Sequence, residues 1–394
     1  MNNRVKAAFE KVGACVPHIL LPRKGVEYRK FAVIACDQFS AQPEYWEEVR
    51  RYVGESPSAL HMMLPEAWLD LQGEATTGRI VSCMNRYLSS GVFEDVGEGL
   101  VYVRRNTSGG IRKGLVIALD LDEYDYSKTA KSMIRATEDT VVERLPARIA
   151  VREKAPLEMP HVLVLLEDKL GLLDDCLERQ REGDEVAYNF DLMQDGGHIC
   201  GRLINKERDL LDIAAVLEKL RENSGDGFLY AMGDGNHSFA AAKARWEALK
   251  PTLTEAQRKN HPARYALCEL VNLFDHGLTV EPIHRLLIGV DPQEVQRDLD
   301  FDAENPPSLQ NLQPRLDAWL AEHPQARLEY IHGAEECRRL GEKPGHLAIV
   351  FDGFDRNSLF RVVREKGTFV RKSFSLGSAK EKRYYLECRR IDEA

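Results

Sequence analysis

Phe228-Leu229-Tyr230-Ala231-Met232-Gly233-Asp234-Gly235-Asn236-His237-Ser238-Phe239-Ala240-Ala241-Ala242 reads as a short apolar strand, a glycine turn and the start of a helix. The apolar run Phe228–Met232 has strand length. Phe239–Leu249 has alanine at 240, 241, 242, 244 and 248, a composition that favours helix. Gly233 and Gly235 allow backbone N–H groups to approach a ligand closely. The helix N-terminus behind them adds partial positive charge, which suits an anion such as phosphate. Asp234 can hold a metal or take a proton. His237 can act as acid or base near neutral pH, or bond a phosphate oxygen. Asn236 and Ser238 add polar contacts or cap the helix. Asp, Gly, Asn and Ser are also plain turn formers, so an ordinary strand–helix connection accounts for the same composition. A dinucleotide fingerprint would need glycine at 238, where serine stands.

Short apolar runs and helical patterns alternate on either side, which predicts mixed α and β structure. Upstream, Val16–Pro22 and Phe31–Cys36 read as buried strands and Pro43–Val53 and Thr76–Leu88 as helices. Leu100–Arg104 and Ile111–Asp120 flank a Ser-Gly-Gly turn, and Val186–Leu192 and His198–Ile204 flank Asp195-Gly196. Both pairs are predicted hairpins. Val162–Leu166 is a predicted strand and Glu207–Asn223 a long helix. Downstream, Arg264–Leu273 is a further strand, and after Val290 the chain becomes more polar. The expected division is a mixed region over 1–125, a core over 126–290 holding the glycine turn, and a smaller α/β module over 291–394.

The 394 residues are enough to bury a core without staples. With 54 basic and 63 acidic residues the formal charge is −9, which argues against DNA or an anionic membrane as partner. The eight cysteines form no CxxC pair and read as reduced thiols of a cytoplasmic protein. No apolar run approaches ~20 residues. GxxxxGK[ST], HExxH and GxSxG are all absent.

Against this acidic background one basic cluster stands out. Lys131, Ser132, Arg135, Thr137, Glu138, Thr140, Glu143 and Arg144 are followed by Arg148 and Arg152. The last two are four apart and share a face. Paired guanidiniums suit phosphate or carboxylate recognition, although a solvated ion-paired surface has the same composition. Asp37 and Gln38 follow an apolar strand, where polar residues line a site or begin a turn. His284 and Arg285 follow another apolar segment.

Ala35-Cys36-Asp37-Gln38, Pro43-Glu44-Tyr45-Trp46, Arg135-Ala136-Thr137-Glu138, Met232–Ser238, Val271-Asn272-Leu273 and Pro282-Ile283-His284-Arg285 together resemble a prokaryotic family, the domain of unknown function numbered one-zero-one-five. That family is similar to the ParB and sulfiredoxin-like superfamily. The resemblance implies an α+β fold with a ParB/sulfiredoxin-like core, in which Gly233, Asp234, Gly235, Asn236 and His237 form a phosphate-binding turn. Ser238 departs from the arginine common among relatives, and Arg135, Arg148 or Arg285 would supply the missing charge. No cysteine lies between Cys200 and Cys268, which speaks against sulfiredoxin activity.

The expectation is a phosphoryl-transfer enzyme, kinase or phosphatase, acting on a small anionic substrate such as a serine-like phosphate. Asp234, His237 and Glu138 would be catalytic, with Asp234 or Glu138 holding Mg²⁺ or acting as base. Gly233, Gly235, Asn236, Ser238, Asp37, Gln38, Lys131, Ser132, Arg135, Thr137, Arg148, Arg152, His284 and Arg285 would bind ligand. Mg²⁺ and a nucleotide are the implied cofactors. The alternatives are a nucleotide-binding regulatory protein without turnover and a scaffold with a dead site.

Overall fold

The computed structural model describes residues 2–40, 42–71, 73–139, 145–183 and 185–392. Thr140, Glu143 and Arg144 of the basic cluster lie outside them. The fold is mixed α/β. Two compact units emerge where three successive blocks were expected. The first comprises Met1–Ala136, Thr140–Leu278 and Ala379–Ala394, and the second Thr137–Asp139 and Thr279–Ser378.

The first unit is built on a ten-stranded mixed sheet. Its order is Glu185–Asp191, His198–Ile204, Leu100–Thr107, Gly110–Asp120, Tyr265–Asn272, Leu163–Leu166, Tyr230–Asp234, Ile134–Arg135, Tyr124–Asp125, with Ala14–Cys15 added beside Gly110–Asp120. Both expected hairpins form: Val101 faces Val116, and Asn189 faces Cys200. Gln194, Asp195 and Gly197 adopt positive φ in the second turn, as tight turns demand. Leu163–Leu166 runs parallel to Tyr265–Asn272 but antiparallel to Tyr230–Asp234, so Leu163 pairs with Asp234.

Side chains alternate between two cores, one on each face of this sheet. Leu115, Ile117 and Leu119 enter one, and Val116 and Ala118 the other. Ala266, Cys268 and Leu270 alternate with Tyr265 and Leu267 in the same way. A sheet buried on both faces explains why its central strands are continuously apolar. The first face is covered by helices that bring in Phe9, Leu173, Ile213, Leu217, Phe239 and Trp246. On the second face lie Trp46 and Val49 of Pro43–Val53, and Ile80 and Met84 of Glu74–Ser89. Proline near the start and an early glutamate favour the Pro43–Val53 helix.

Phe31–Cys36, expected as one strand, divides into a helical turn at Tyr28–Phe31 and a two-residue strand, Val33–Ile34. That strand pairs with Tyr384–Tyr385, from the last segment of the chain. Residues 379–392 do not belong with the preceding module. Arg105 donates to the carbonyls of Gly196, Glu381 and Lys380, and Arg383 Nη2 bonds Glu387 Oε2 at 2.7 Å. The Arg105 bonds occupy backbone acceptors of the segment and seat it in the first unit.

The second unit has a three-stranded antiparallel sheet, Arg327–Ile331, His284–Ile288 and His346–Ile349. Leu287, Val295, Leu312, Leu316, Trp319 and Ile349 form its own core. Among the described residues no helix is long and apolar enough to cross a membrane.

Candidate functional site

Tyr230–Asp234 extends to the aspartate, and the helix that follows begins at Asn236, three residues earlier than expected. Gly235 makes the early start possible. It sits at φ +78°, in the left-handed region, where glycine has no Cβ penalty. A Cβ there would lie 3.0 Å from Val162 Cγ2 and 3.1 Å from Val162 Cα. Gly235→Ala should therefore cost about 1–3 kcal/mol from backbone strain alone. Urea unfolding measures this, and a loss below about 0.5 kcal/mol would contradict it.

No side chain caps the Asn236–Leu249 helix. The N–H groups of its first turn have no intrahelical acceptor, and the positive end of the helix dipole is exposed at the turn. Asp234 does not cap it: its Oδ1 accepts Gly235 N at 2.9 Å and its Oδ2 pairs with Lys382 Nζ at 3.1 Å. Lys382 is buried, at 5% exposure. Asn236 Oδ1 is shielded from solvent and meets no hydrogen-bond donor among the described residues.

A cavity of about 200 Å³ opens beside this turn. Ser238, Phe239, Ala241 and Ala242 supply one wall from the helix. Val162, which would block a side chain at Gly235, lines it as well. Arg148 and Arg152 also line it, so their spacing does place them on one face. Each guanidinium is ion-paired. Arg148 Nη2 bonds Glu66 Oε1, and Arg152 Nη2 bonds Glu158 Oε2. Burial works against the charge on Arg148, but Cys36, Glu66 and Asp37 outweigh it and raise its pKa. Burial would likewise raise Glu158, yet Arg152 and Arg389, helped by Leu267 N at 2.9 Å, hold its carboxyl below the ordinary value.

Cys36, beside Asp37 and Gln38, faces the same cavity, and burial pushes its thiol up to about 12. Gln38 Nε2 bonds Asp37 Oδ1 at 3.0 Å, and Gln38 O takes Trp46 Nε1 at 3.1 Å. Tyr385 OH meets His161 Nδ1 at 2.8 Å and accepts Cys36 N at 3.3 Å.

Other expected residues are elsewhere. Arg135 is buried on its short strand, with Nη2 on Asp226 Oδ2 at 2.9 Å and its guanidinium over the Phe228 ring. Ser132 bonds Ile134 O, and Lys131 is exposed. Thr137, Glu138, His284 and Arg285 belong to the second unit. There Phe369 N donates to Thr137 O, Ser373 N to Glu138 Oε1, and Phe351 N to His284 Nδ1. Arg285, fully buried, bonds Gln313 Oε1 at 2.6 Å and Arg371 O at 2.9 Å. Its burial lowers its pKa to about 10.

Sequence reading missed Lys382, His161 and Tyr385. The cluster Lys380-Glu381-Lys382-Arg383-Tyr384-Tyr385 was visible as a dense mixture of charge and aromatic rings. The partners of Lys382 and Tyr385, Asp234 and His161, however, lie more than a hundred residues away. Among the described residues no group of three or more His, Cys, Asp or Glu side chains is placed to hold a metal. The expected Mg²⁺ thus finds no ligand cluster at Asp234, whose carboxylate is held by Lys382.

The model of a protein family of unknown function, DUF1015, matches residues 20–386. The chain belongs to that family. The match spans the turn, the cavity walls, and Lys382 and Tyr385 of the last segment. No curated protein matches this DUF1015 chain. A solved conserved hypothetical protein from Pyrococcus furiosus is similar at 12% identity, over 70% of this chain and 95% of that one, with a TM-score of 0.34.

Proposed function

We propose that this DUF1015 protein binds a small phosphate-bearing molecule at the 235–238 turn and transfers its phosphoryl group. The observation that supports this is the uncapped start of the Asn236–Leu249 helix, next to the Asp234–Lys382 pair, whose lysine is buried. First-turn N–H groups donate to phosphate oxygens, and the ammonium of Lys382 supplies the charge that Ser238 does not bring. Asp234 orients the lysine and the turn. Water or a substrate hydroxyl takes the phosphoryl group and gives up its proton as the ester P–O bond breaks, and His237 gives a proton to the departing ester oxygen. The parallel with ParB and sulfiredoxin-like proteins is one of analogy.

Binding without turnover is the second reading. It is favoured by one fact: Asp234, Glu66 and Glu158 are each already engaged by a cation of the protein itself.

Thermal shift with inorganic phosphate, O-phosphoserine and nucleotides, each with and without Mg²⁺, tests both. A ligand at ~100 times its Kd stabilises by ~2.7 kcal/mol. Phosphate release from a ligand that shifts Tm would favour the enzyme, and a shift with no release would favour the sensor. His237→Ala should keep the fold and lose turnover by about 10²-fold or more. A variant at wild-type rate would remove His237 from the chemistry. No shift with any phosphate compound would sink the proposal.

A further inference from the structure

We infer that the molecule bound at the turn carries an apolar body of about ring size, which fills the cavity beside it. This inference rests on the phosphate reading and names its substrate class: an aryl or branched-alkyl phosphate rather than a serine-like one. The cavity and the turn share one wall. Ser238 stands in the first turn of the helix and lines the cavity, and Val162 touches the position of Gly235 while lining it too. An anion held by the first-turn N–H groups would therefore have its ester substituent beside the cavity.

The rest of the lining is apolar in the main. Met62, Ile80, Met84, Leu157 and Ala242 all belong to it. An apolar cavity of ~150 Å³ holds a benzene ring. At about 200 Å³ this one takes a ring with a substituent. Its charged groups would not recognise a polar body. Arg148 and Arg152 are satisfied by Glu66 and Glu158, and Glu158 is further occupied by Arg389 and Leu267 N. A zwitterionic serine phosphate would bring its ammonium among methionines, at a desolvation cost, with Glu66 and Glu158 already engaged by arginines. The small side chains at 241 and 242 keep the space open, whereas leucine would fill it. Methionines make a wall that adapts to rings and branched chains alike.

Calorimetric titration of the intact protein with inorganic phosphate, O-phosphoserine, phenyl phosphate and benzyl alcohol tests the inference. The expected result is phenyl phosphate at least tenfold tighter than phosphate or phosphoserine. Ala242→Phe, which fills the cavity, should abolish that advantage and leave phosphate affinity unchanged. Met84→Trp fills it from a different lining position and serves if the first variant does not fold. Equal affinity for phenyl phosphate and phosphoserine would overturn the inference while leaving the phosphate reading intact. So would a tenfold advantage that survives both cavity-filling variants. Binding of benzyl alcohol with no binding of any phosphate would overturn the phosphate reading, and the inference with it.

Discussion

Glu158→Ala is expected to lower the stability of the first unit by about 3–5 kcal/mol, the usual loss when one partner of a buried charge set is removed. Glu158 is 5% exposed. One oxygen accepts Leu267 N at 2.9 Å and the Arg389 guanidinium, and the other accepts Arg152. Alanine would leave Arg152 and Arg389 without their shared carboxylate. Glu158→Gln keeps an acceptor for Leu267 N but no charge, so its loss should be smaller. Acid should mimic the variant. The carboxyl is held below its ordinary 4.5, so its contribution is complete above that value. It is lost as pH falls through the lowered folded value, because the unfolded chain then binds the proton more readily. Urea midpoints at pH 7 and at pH 4 and below read both effects. An alanine variant within about 1 kcal/mol of the parent at pH 7 would show that the arginines find other partners.

Lys382→Met should weaken phosphate binding at the turn by at least about tenfold, equivalent to ~1.4 kcal/mol. It should also destabilise the fold by about 1–3 kcal/mol, because Asp234 loses its cation in a largely buried place. The two losses separate in a double variant. Asp234→Asn with Lys382→Met removes both charges, and the stranded carboxylate no longer exists. Stability should return towards the parent, whereas phosphate affinity should stay low. If affinity returns together with stability, Lys382 merely holds the turn in shape. If neither single change moves the affinity, the anion does not sit where the helix begins.

Local signals were legible in the sequence and distant partners were not. Asp195-Gly196 and the Ser-Gly-Gly at 108–110 fixed two hairpins because turn chemistry acts within a few residues. Pro43–Val53 and Glu207–Asn223 form with the bounds read from the sequence, the first opened by Pro43 and Glu44 and the second by Glu207 and Asp209. The glycine turn was recognised, but its helix was started too late, since Asn236-His237-Ser238 resembles a loop until Gly235 is known to cap it. The basic cluster illustrates the limit better. Its arginines were visible, but their carboxylates were not: Glu66 lies 82 residues from Arg148 and Asp226 lies 91 from Arg135. Charges chosen for a free anion proved to be matched within the protein. Helix spacing put Arg148 and Arg152 on one face correctly, since that depends only on the 3.6-residue period.

The return of residues 379–392 to the first unit has a consequence for biosynthesis. A chain emerging from the ribosome presents residues 279–378, the body of the second unit, before it presents Lys382, Tyr385 and Arg389. The second unit can close its own core while the first still lacks a strand partner for Val33–Ile34 and a cation for Asp234. Domains generally fold in order of synthesis. Here the larger unit, although begun first, is completed after the second, and the 235–238 turn gains its lysine only once residues 279–378 have been made.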